Sequence, residues 1–268
     1  MNRIPKELII DLCKTSYIIY NYMNNWNITN FENFTQNVTE KKILSNFHDK
    51  YHDASVFAFI QNDAGLECFI LKNPTHKSYS IVFRGTESMM DCLCDFLIYK
   101  HNLHDNVKVH YGFYKQLTFN NTLEQIYNNM DYLISVHPEY EWNLAGHGLG
   151  GGLATLCGYI LAKKYINKNF TVASFGSPRI GNLQFREAFN KLHNIKHYRV
   201  INKNDIITMF PYIGYYHCGY PIHYKNNKWS LLNIDIDYNN IFNSYNPYHH
   251  SCTNYINNIE QIISDIDD

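Results

Sequence analysis

The chain has 268 residues, and its 23 basic and 24 acidic side chains leave a formal net charge of −1. A dedicated nucleic-acid-binding protein usually carries a surplus of basic residues, so this balance argues against that class. Hydrophobic residues make up 45% of the chain and charged residues 18%, which excludes general disorder and provides for a large buried core. At this length we expect one large α/β domain.

The cysteines and the amino-terminal sequence give an expectation for the compartment. Seven scattered cysteines, an odd number, do not form the framework of a disulfide-stabilised secreted domain and favour a reducing compartment. Glu7, Asp11 and Lys14 interrupt any apolar region of a signal peptide, and no later run approaches the ~18 apolar residues of a membrane span. We therefore expect a cytoplasmic protein without a transmembrane segment.

Hydrophobic patterning predicts helices that alternate with strands. Apolar residues recur at helical spacing over residues 8–23 and predict a first helix, followed by an irregular connection over 24–52. Strands are predicted at 55–60, 67–71, 79–83, 142–145, 170–175 and 197–201, with a β-rich tract at 215–232. Helices are predicted at 111–136, 153–166, 183–192 and 251–263. This alternation predicts a mostly parallel sheet with helices on both faces, formed by residues 55–268, with 1–54 as a helical segment packed on it.

The predicted strand at 142–145 runs into a helix through a turn that is dense in glycine. Gly146, Gly148 and Gly151 fit the G-x-G-x-x-G turn of dinucleotide-binding folds, but the acidic residue expected about 20 positions later is missing from the end of the next strand. The same turn fits a nucleophile elbow, G-x-S-x-G, which holds a side chain at a strained apex between strand and helix. Gly146 and Gly150 then occupy the glycine positions, and Gly148 stands at the serine position.

The elbow sequence GHGLGGGLA, residues 146–154, resembles the G-H-S-L-G-G-A-L-A of class 3 (fungal-type) lipases, which have the α/β-hydrolase fold. Further motifs similar to those of the family follow in order: IVFRGT at 81–86, VHYGF at 109–113, FGSPRIGN at 175–182, RVINKND at 199–205 and HSCTNY at 250–255. These matches extend over about 78–255, which is most of the chain.

The resemblance implies a lipase or carboxylesterase that hydrolyses acylglycerols or related lipid esters without a cofactor. It implies that residue 148 is the nucleophile position, Asp205 the triad acid and His250 the triad base. These positions obey the order Ser, Asp, His that an α/β-hydrolase presents. Asp205 would otherwise be interpreted as a turn residue, and the adjacent His249 is an alternative base.

The resemblance also implies groups around the nucleophile position. The backbone amides of Leu149 and Thr86 would hold the oxyanion, and His147 would flank the apex as a structural part of the elbow. Residues 88–99 occupy the place of the family's lid helix, although packing on the sheet is an equal alternative. The apolar residues of this candidate lid are Met89, Met90, Leu93 and Phe96. No spacing typical of a zinc site occurs, so we expect no metal; the expected partners are a lipid or ester substrate and, transiently, a lipid surface.

Gly148 has no hydroxyl group, so the acyl-enzyme route is closed to the chain as written. Three explanations are open. The glycine could be an engineered exchange in a serine enzyme, or it could be natural and leave a pseudoenzyme that binds lipids or a partner. In the third, His250 would activate a water molecule directly. The main alternative to a hydrolase is therefore a non-catalytic lipid-binding or interaction protein on the same fold.

Overall fold

The computed structural model of the chain describes residues 5–23, 55–86, 99–225, 228–231 and 247–259. The helices are α1 (Lys6–Met23), α2 (Tyr111–Thr118), α3 (Thr122–Val136), α4 (Leu149–Lys164), α5 (Leu183–Asn190) and α6 (Cys252–Ile259). The strands are β1 (Ser55–Gln61), β2 (Glu67–Asn73), β3 (Ser78–Phe83), β4 (Lys100–His104), β5 (Val107–His110), β6 (Glu141–His147), β7 (Phe170–Phe175), β8 (Ile195–Asn202), β9 (Tyr220–Lys225) and β10 (Lys228–Leu231). Short 3₁₀ helices cover Phe119–Asn121, Ile206–Met209 and Pro247–His250.

Eight of these strands form one sheet in the order β1-β2-β3-β6-β7-β8-β9-β10. The pairs from β3 through β6, β7 and β8 to β9 are parallel, whereas β1, β2 and β10 join the edges in antiparallel pairs. The carboxyl ends of the parallel strands therefore lie at one edge of the sheet, where ligands bind in open α/β folds. The predicted α/β-hydrolase architecture, with a mostly parallel central sheet, is confirmed.

Adjacent residues of the central strands point to opposite faces, and each face buries its own apolar core. Ile81, Leu144 and Val172 belong to the core on the face covered by α2, α3, α4 and α5. Their neighbours on the strands, Val82, Ala145 and Ala173, belong to the core on the face covered by α1 and α6. The predicted first helix thus packs directly on the strands that lead to the elbow.

Two local features differ from the sequence prediction. The single helix predicted at 111–136 is wrong, because Asn120 and Asn121 adopt left-handed φ values of 49° and 56° and divide it into α2 and α3. Asparagine tolerates this conformation better than other residues with a side chain. The hairpin of β4 and β5 was not predicted; Asp105 and Asn106 form its turn, with φ values of 43° and 64°.

No helix within the described residues is long and apolar enough to cross a membrane.

Candidate active site

The turn after β6 has the geometry of a nucleophile elbow although its apex is a glycine. Gly148 joins β6 to α4 with φ 55° and ψ −118°, a conformation that residues with a side chain rarely adopt. Its N–H donates to the Phe175 carbonyl at 2.8 Å, and its carbonyl accepts from the N–H of Gly152 at 3.2 Å. Backbone hydrogen bonds therefore hold the apex from both sides.

The two glycines that flank the apex are required by close packing of the backbone. A Cβ atom at Gly146 would lie 2.3 Å from the carbonyl carbon of Gly150. A Cβ atom at Gly150 would lie 2.3 Å from the carbonyl oxygen of Phe83, at the end of β3. Since heavy atoms that are not bonded to each other do not approach so closely, only glycine lets β3, β6 and α4 meet here.

The structure brings Asp205 and His250 together at the same edge of the sheet. Nδ1 of His250 lies 2.9 Å from Oδ2 and 3.1 Å from Oδ1 of Asp205, whose side chain is fully buried. A carboxylate only accepts hydrogen bonds, so Nδ1 carries a proton, and in the neutral imidazole Nε2 is the nitrogen with the lone pair. This is the orientation that a general base needs.

Two further donors fix the carboxylate of Asp205. The hydroxyl of Tyr255 donates to Oδ2 at 2.6 Å, and the N–H of Ile207 donates to Oδ1 at 3.0 Å. Burial, followed by the nearby Asp205 charge, raises the pKa of Tyr255, so the hydroxyl remains a donor at neutral pH. The acid is thus immobilised at both oxygens before any ligand binds.

The segment that carries His250 is anchored through two backbone carbonyls. Nδ2 of Asn202, at the end of β8, donates to the carbonyl of His249 at 2.9 Å. Nε2 of His147, at the end of β6, donates to the carbonyl of His250 at 2.7 Å. Of the two adjacent histidines considered from sequence, it is therefore His250 whose imidazole contacts the acid.

His147 is a neutral, buried support of this segment. Burial, and secondly the neighbouring His250, lower the pKa of His147 to about 3. Its ring lies 4.6 Å from the His250 ring and 5.3 Å from the Tyr255 ring, measured between centroids. At neutral pH it adds no charge next to the acid and base.

The predicted oxyanion donors lie on either side of the elbow. Leu149 is the first residue of α4, so its N–H has no acceptor within the helix. Thr86 follows Gly85, where a Cβ atom would lie 2.6 Å from the carbonyl oxygen of His147. The loop after β3 therefore contacts the elbow itself. Residues 87–98, which include the candidate lid residues Met89, Met90, Leu93 and Phe96, lie outside the described part of the chain.

Two residues of the site were not predicted from the sequence as functional. Tyr255 orients Asp205, and the only signal is its place in the terminal motif, five residues after His250. Gly176 has a φ of 61°, and a Cβ atom there would lie 2.7 Å from Oδ2 of Asp205 and 3.1 Å from Nδ1 of His250. A glycine after β7 is thus required for the acid and base to approach each other.

Comparison with known proteins finds similarity to lipases and phospholipases. The lipase of Rhizopus niveus is 30% identical over 167 residues, which are 56% of this chain and 40% of that protein. Phospholipase A1-Igamma2 of Arabidopsis thaliana, a chloroplastic protein, is 29% identical over 164 residues, 50% of this chain and 31% of that protein. The chain thus spans less than half the length of these two relatives.

Among solved structures, the lipase of Rhizopus microsporus var. chinensis superposes with a TM-score of 0.72 at 21% identity. The superposition covers 91% of this chain and 86% of that one, which shows a common fold. Residues 80–215, about half of the chain, match the family described as Lipase (class 3). The chain therefore belongs to the class 3 lipase family.

Proposed function

We propose that this chain binds carboxylic esters of lipids, acylglycerols or related compounds, at a hydrolase site that is complete except for the nucleophile. The observation that carries the proposal is the hydrogen-bonded Asp205–His250 pair beside an elbow whose apex is Gly148. The relatives named lipase and phospholipase A1 support an acyl ester as the ligand class.

The proposed roles follow from the geometry of the site. The ester carbonyl would lie over the elbow with its oxygen near the N–H groups of Leu149 and Thr86, where negative charge develops during acyl transfer. In a serine hydrolase, the histidine takes the proton of the serine hydroxyl and returns it to the leaving alcohol. Because Gly148 supplies no hydroxyl, no acyl-enzyme forms in this chain. Loss of the nucleophile reduces turnover by about a millionfold in a serine protease.

The second candidate, a non-catalytic lipid-binding protein, is favoured by one observation. Gly148 occupies the apex without the strain that a side chain suffers at φ 55°, so the fold gains stability from the residue that removes the nucleophile. Both candidates place the lipid ester at the same site. In the first it is an ester-hydrolase site that lacks only its nucleophile, and in the second it serves binding alone.

Ester hydrolysis by Gly148→Ser tests the shared site. We expect this variant to hydrolyse p-nitrophenyl esters at least about 10⁴-fold faster than the unaltered chain, because serine would complete the triad. Adding His250→Ala should abolish the gain, whereas adding His249→Ala should leave most of it. If the serine variant is folded but inactive, Asp205 and His250 do not form a hydrolase site and the proposal fails.

A transient contact with a lipid surface is part of the proposal. The loop after the Ile206–Met209 helix, which Asp205 caps, exposes Ile213, with 74% of its surface accessible. Tyr99 is also exposed, and its carbonyl accepts a hydrogen bond at 3.4 Å from the hydroxyl of Tyr215, two residues after Ile213. Apolar and aromatic side chains at the rim of a lipid-ester site are suited to the surface of a bilayer.

Two isoleucine substitutions test this contact. Ile166 is similarly exposed but follows the far end of α4, which is roughly 24 Å long, so it lies far from the elbow. We expect Ile213→Ser to weaken binding to phosphatidylcholine vesicles in a sedimentation assay and Ile166→Ser to leave it unchanged. Equal effects of the two substitutions, or no binding by the unaltered chain, would contradict the contact.

A further inference from the structure

The Nε2 atom of His250 is buried and has no hydrogen-bond partner among the described residues. Nδ1 carries the proton that faces Asp205, so Nε2 presents its lone pair on the opposite edge of the ring. In the part of the chain that the structure describes, no donor lies within hydrogen-bond distance of this atom. Buried acceptors in folded proteins nearly always receive a hydrogen bond from protein or water, so Nε2 is suited to accept one from a water molecule.

The imidazole is fixed in this orientation independently of residue 148. Asp205 is held by Tyr255 and Ile207, and the carbonyl of His250 is held by His147. None of these bonds uses a side chain at the elbow apex. The acid–base pair therefore remains assembled when the apex residue is glycine.

From these two observations we propose that the chain with Gly148 is itself a slow esterase, in which His250 activates a water molecule for direct attack on the ester. The inference rests on the proposed function, because it needs an ester bound at this site. It differs from the mechanism of a serine hydrolase, since no covalent intermediate forms on the protein.

The reaction balances with water as the only co-reactant. Nε2 of His250 takes a proton from the water while the water oxygen bonds to the carbonyl carbon, and the carbonyl electron pair moves to the oxygen. The N–H of Leu149 faces this oxyanion. When the electron pair returns, the bond to the alcohol oxygen breaks, and the imidazolium gives its proton to the departing alkoxide. The products are one carboxylic acid and one alcohol, and His250 is neutral again.

Glycine is the residue that this route requires at the apex. A serine would place its hydroxymethyl group between the base and the ester carbon, where the proposal places the water molecule. Gly148 adds no atoms beyond its backbone, and Gly146 and Gly150 keep that backbone in the elbow conformation. An alanine would fill the same volume with a methyl group that is neither a nucleophile nor an acid.

The test measures release of p-nitrophenol from p-nitrophenyl butyrate by the full chain and three variants. We expect His250→Ala to lower the rate of the unaltered chain by about 10²- to 10⁴-fold, the range typical of general-base catalysis. Gly148→Ala should lower it by at least about tenfold, and His193→Ala, at an exposed position just before β8, should leave it within about twofold. All four proteins are compared at equal folded fraction, judged by urea unfolding.

Two further readouts separate this route from trace serine hydrolases and from acyl-enzyme chemistry. Phenylmethylsulfonyl fluoride should inactivate Gly148→Ser and leave the unaltered chain active. Intact-protein mass spectrometry should find no acyl adduct on the unaltered chain during turnover. Sensitivity to the inhibitor, an adduct, or a rate unaffected by His250→Ala would overturn the inference.

These outcomes distinguish the inference from the proposed function. If Gly148→Ser is active but the unaltered chain shows no His250-dependent rate, the ester site stands and the water route is wrong. If Gly148→Ser is also inactive, the ester site itself is wrong.

Discussion

Replacing Tyr255 by phenylalanine removes one hydroxyl group from the centre of the site and leaves the aromatic ring in place. The hydroxyl donates to Oδ2 of Asp205 at 2.6 Å and accepts from the N–H of Asn202 at 3.1 Å. A hydrogen bond to a charged group contributes about 1.5–3 kcal/mol, and a buried donor left without an acceptor costs about 1–3 kcal/mol. Because these terms overlap, we expect the free energy of unfolding to fall by about 3 kcal/mol.

Urea unfolding at pH 7 measures this change, and an exposed tyrosine supplies the control. Tyr132 lies on α3 with 58% of its surface accessible, so Tyr132→Phe should change the free energy of unfolding by less than about 0.5 kcal/mol. A loss below about 1 kcal/mol for Tyr255→Phe would mean that its hydroxyl does not hold Asp205. The interpretation of Tyr255 as a positioning residue would then be wrong.

Two further predictions concern stability. Gly176→Ala should lower the free energy of unfolding by at least about 3 kcal/mol in urea, because a positive φ is combined with a Cβ atom 2.7 Å from Asp205. Gly65 has a φ of 83° and no atom within 4 Å of its Cβ position, so Gly65→Ala should lower the free energy of unfolding by only about 1 kcal/mol. Equal losses for the two variants would show that close contacts at Gly176 do not matter. Burial lowers the pKa of both His147 and His197 from 6.5 to about 3. Below pH 6.5 the unfolded chain therefore binds more protons than the folded chain, and the free energy of unfolding decreases as the pH is lowered. Each histidine should contribute a loss of about 2 kcal/mol in the free energy of unfolding between pH 6.5 and about pH 5. In urea unfolding at both pH values, His197→Gln should lose less of this free energy than the unaltered chain. An equal loss would refute the lowered pKa of His197.

The strands and helices around the sheet follow from local patterns, and the sequence predicts nearly all of those that the structure describes. Short runs of β-branched and aromatic residues, which are enriched in strands, predict β1, β2, β3, β6, β7 and β8. The break between α2 and α3 was missed because the apolar pattern continues through it. Asn120 and Asn121 end the helix by their backbone conformation, which hydrophobic periodicity does not report.

Sequence motifs predicted the residues of the elbow and of the acid–base pair. Contacts between segments that are far apart in sequence could not be predicted in this way. Gly146 and Gly150 could be assigned from the elbow pattern, and the structure gives the steric reason. The HSCTNY motif favoured His250 over the adjacent His249 as the base, and in the structure the imidazole of His250 contacts Asp205. The clash expected of any side chain at Gly176 arises between segments far apart in sequence, so only the folded chain shows it.

The central claim is that this chain holds an assembled acid–base pair next to the elbow apex. Covalent labelling of Gly148→Ser by a fluorophosphonate, followed by intact-protein mass spectrometry, tests it most directly because the reagent reacts with activated serines. We predict one adduct per chain on residue 148, formed rapidly, and at least about 100-fold slower labelling when His250→Ala is added. An unlabelled but folded Gly148→Ser protein, or labelling that does not depend on His250, would contradict the claim.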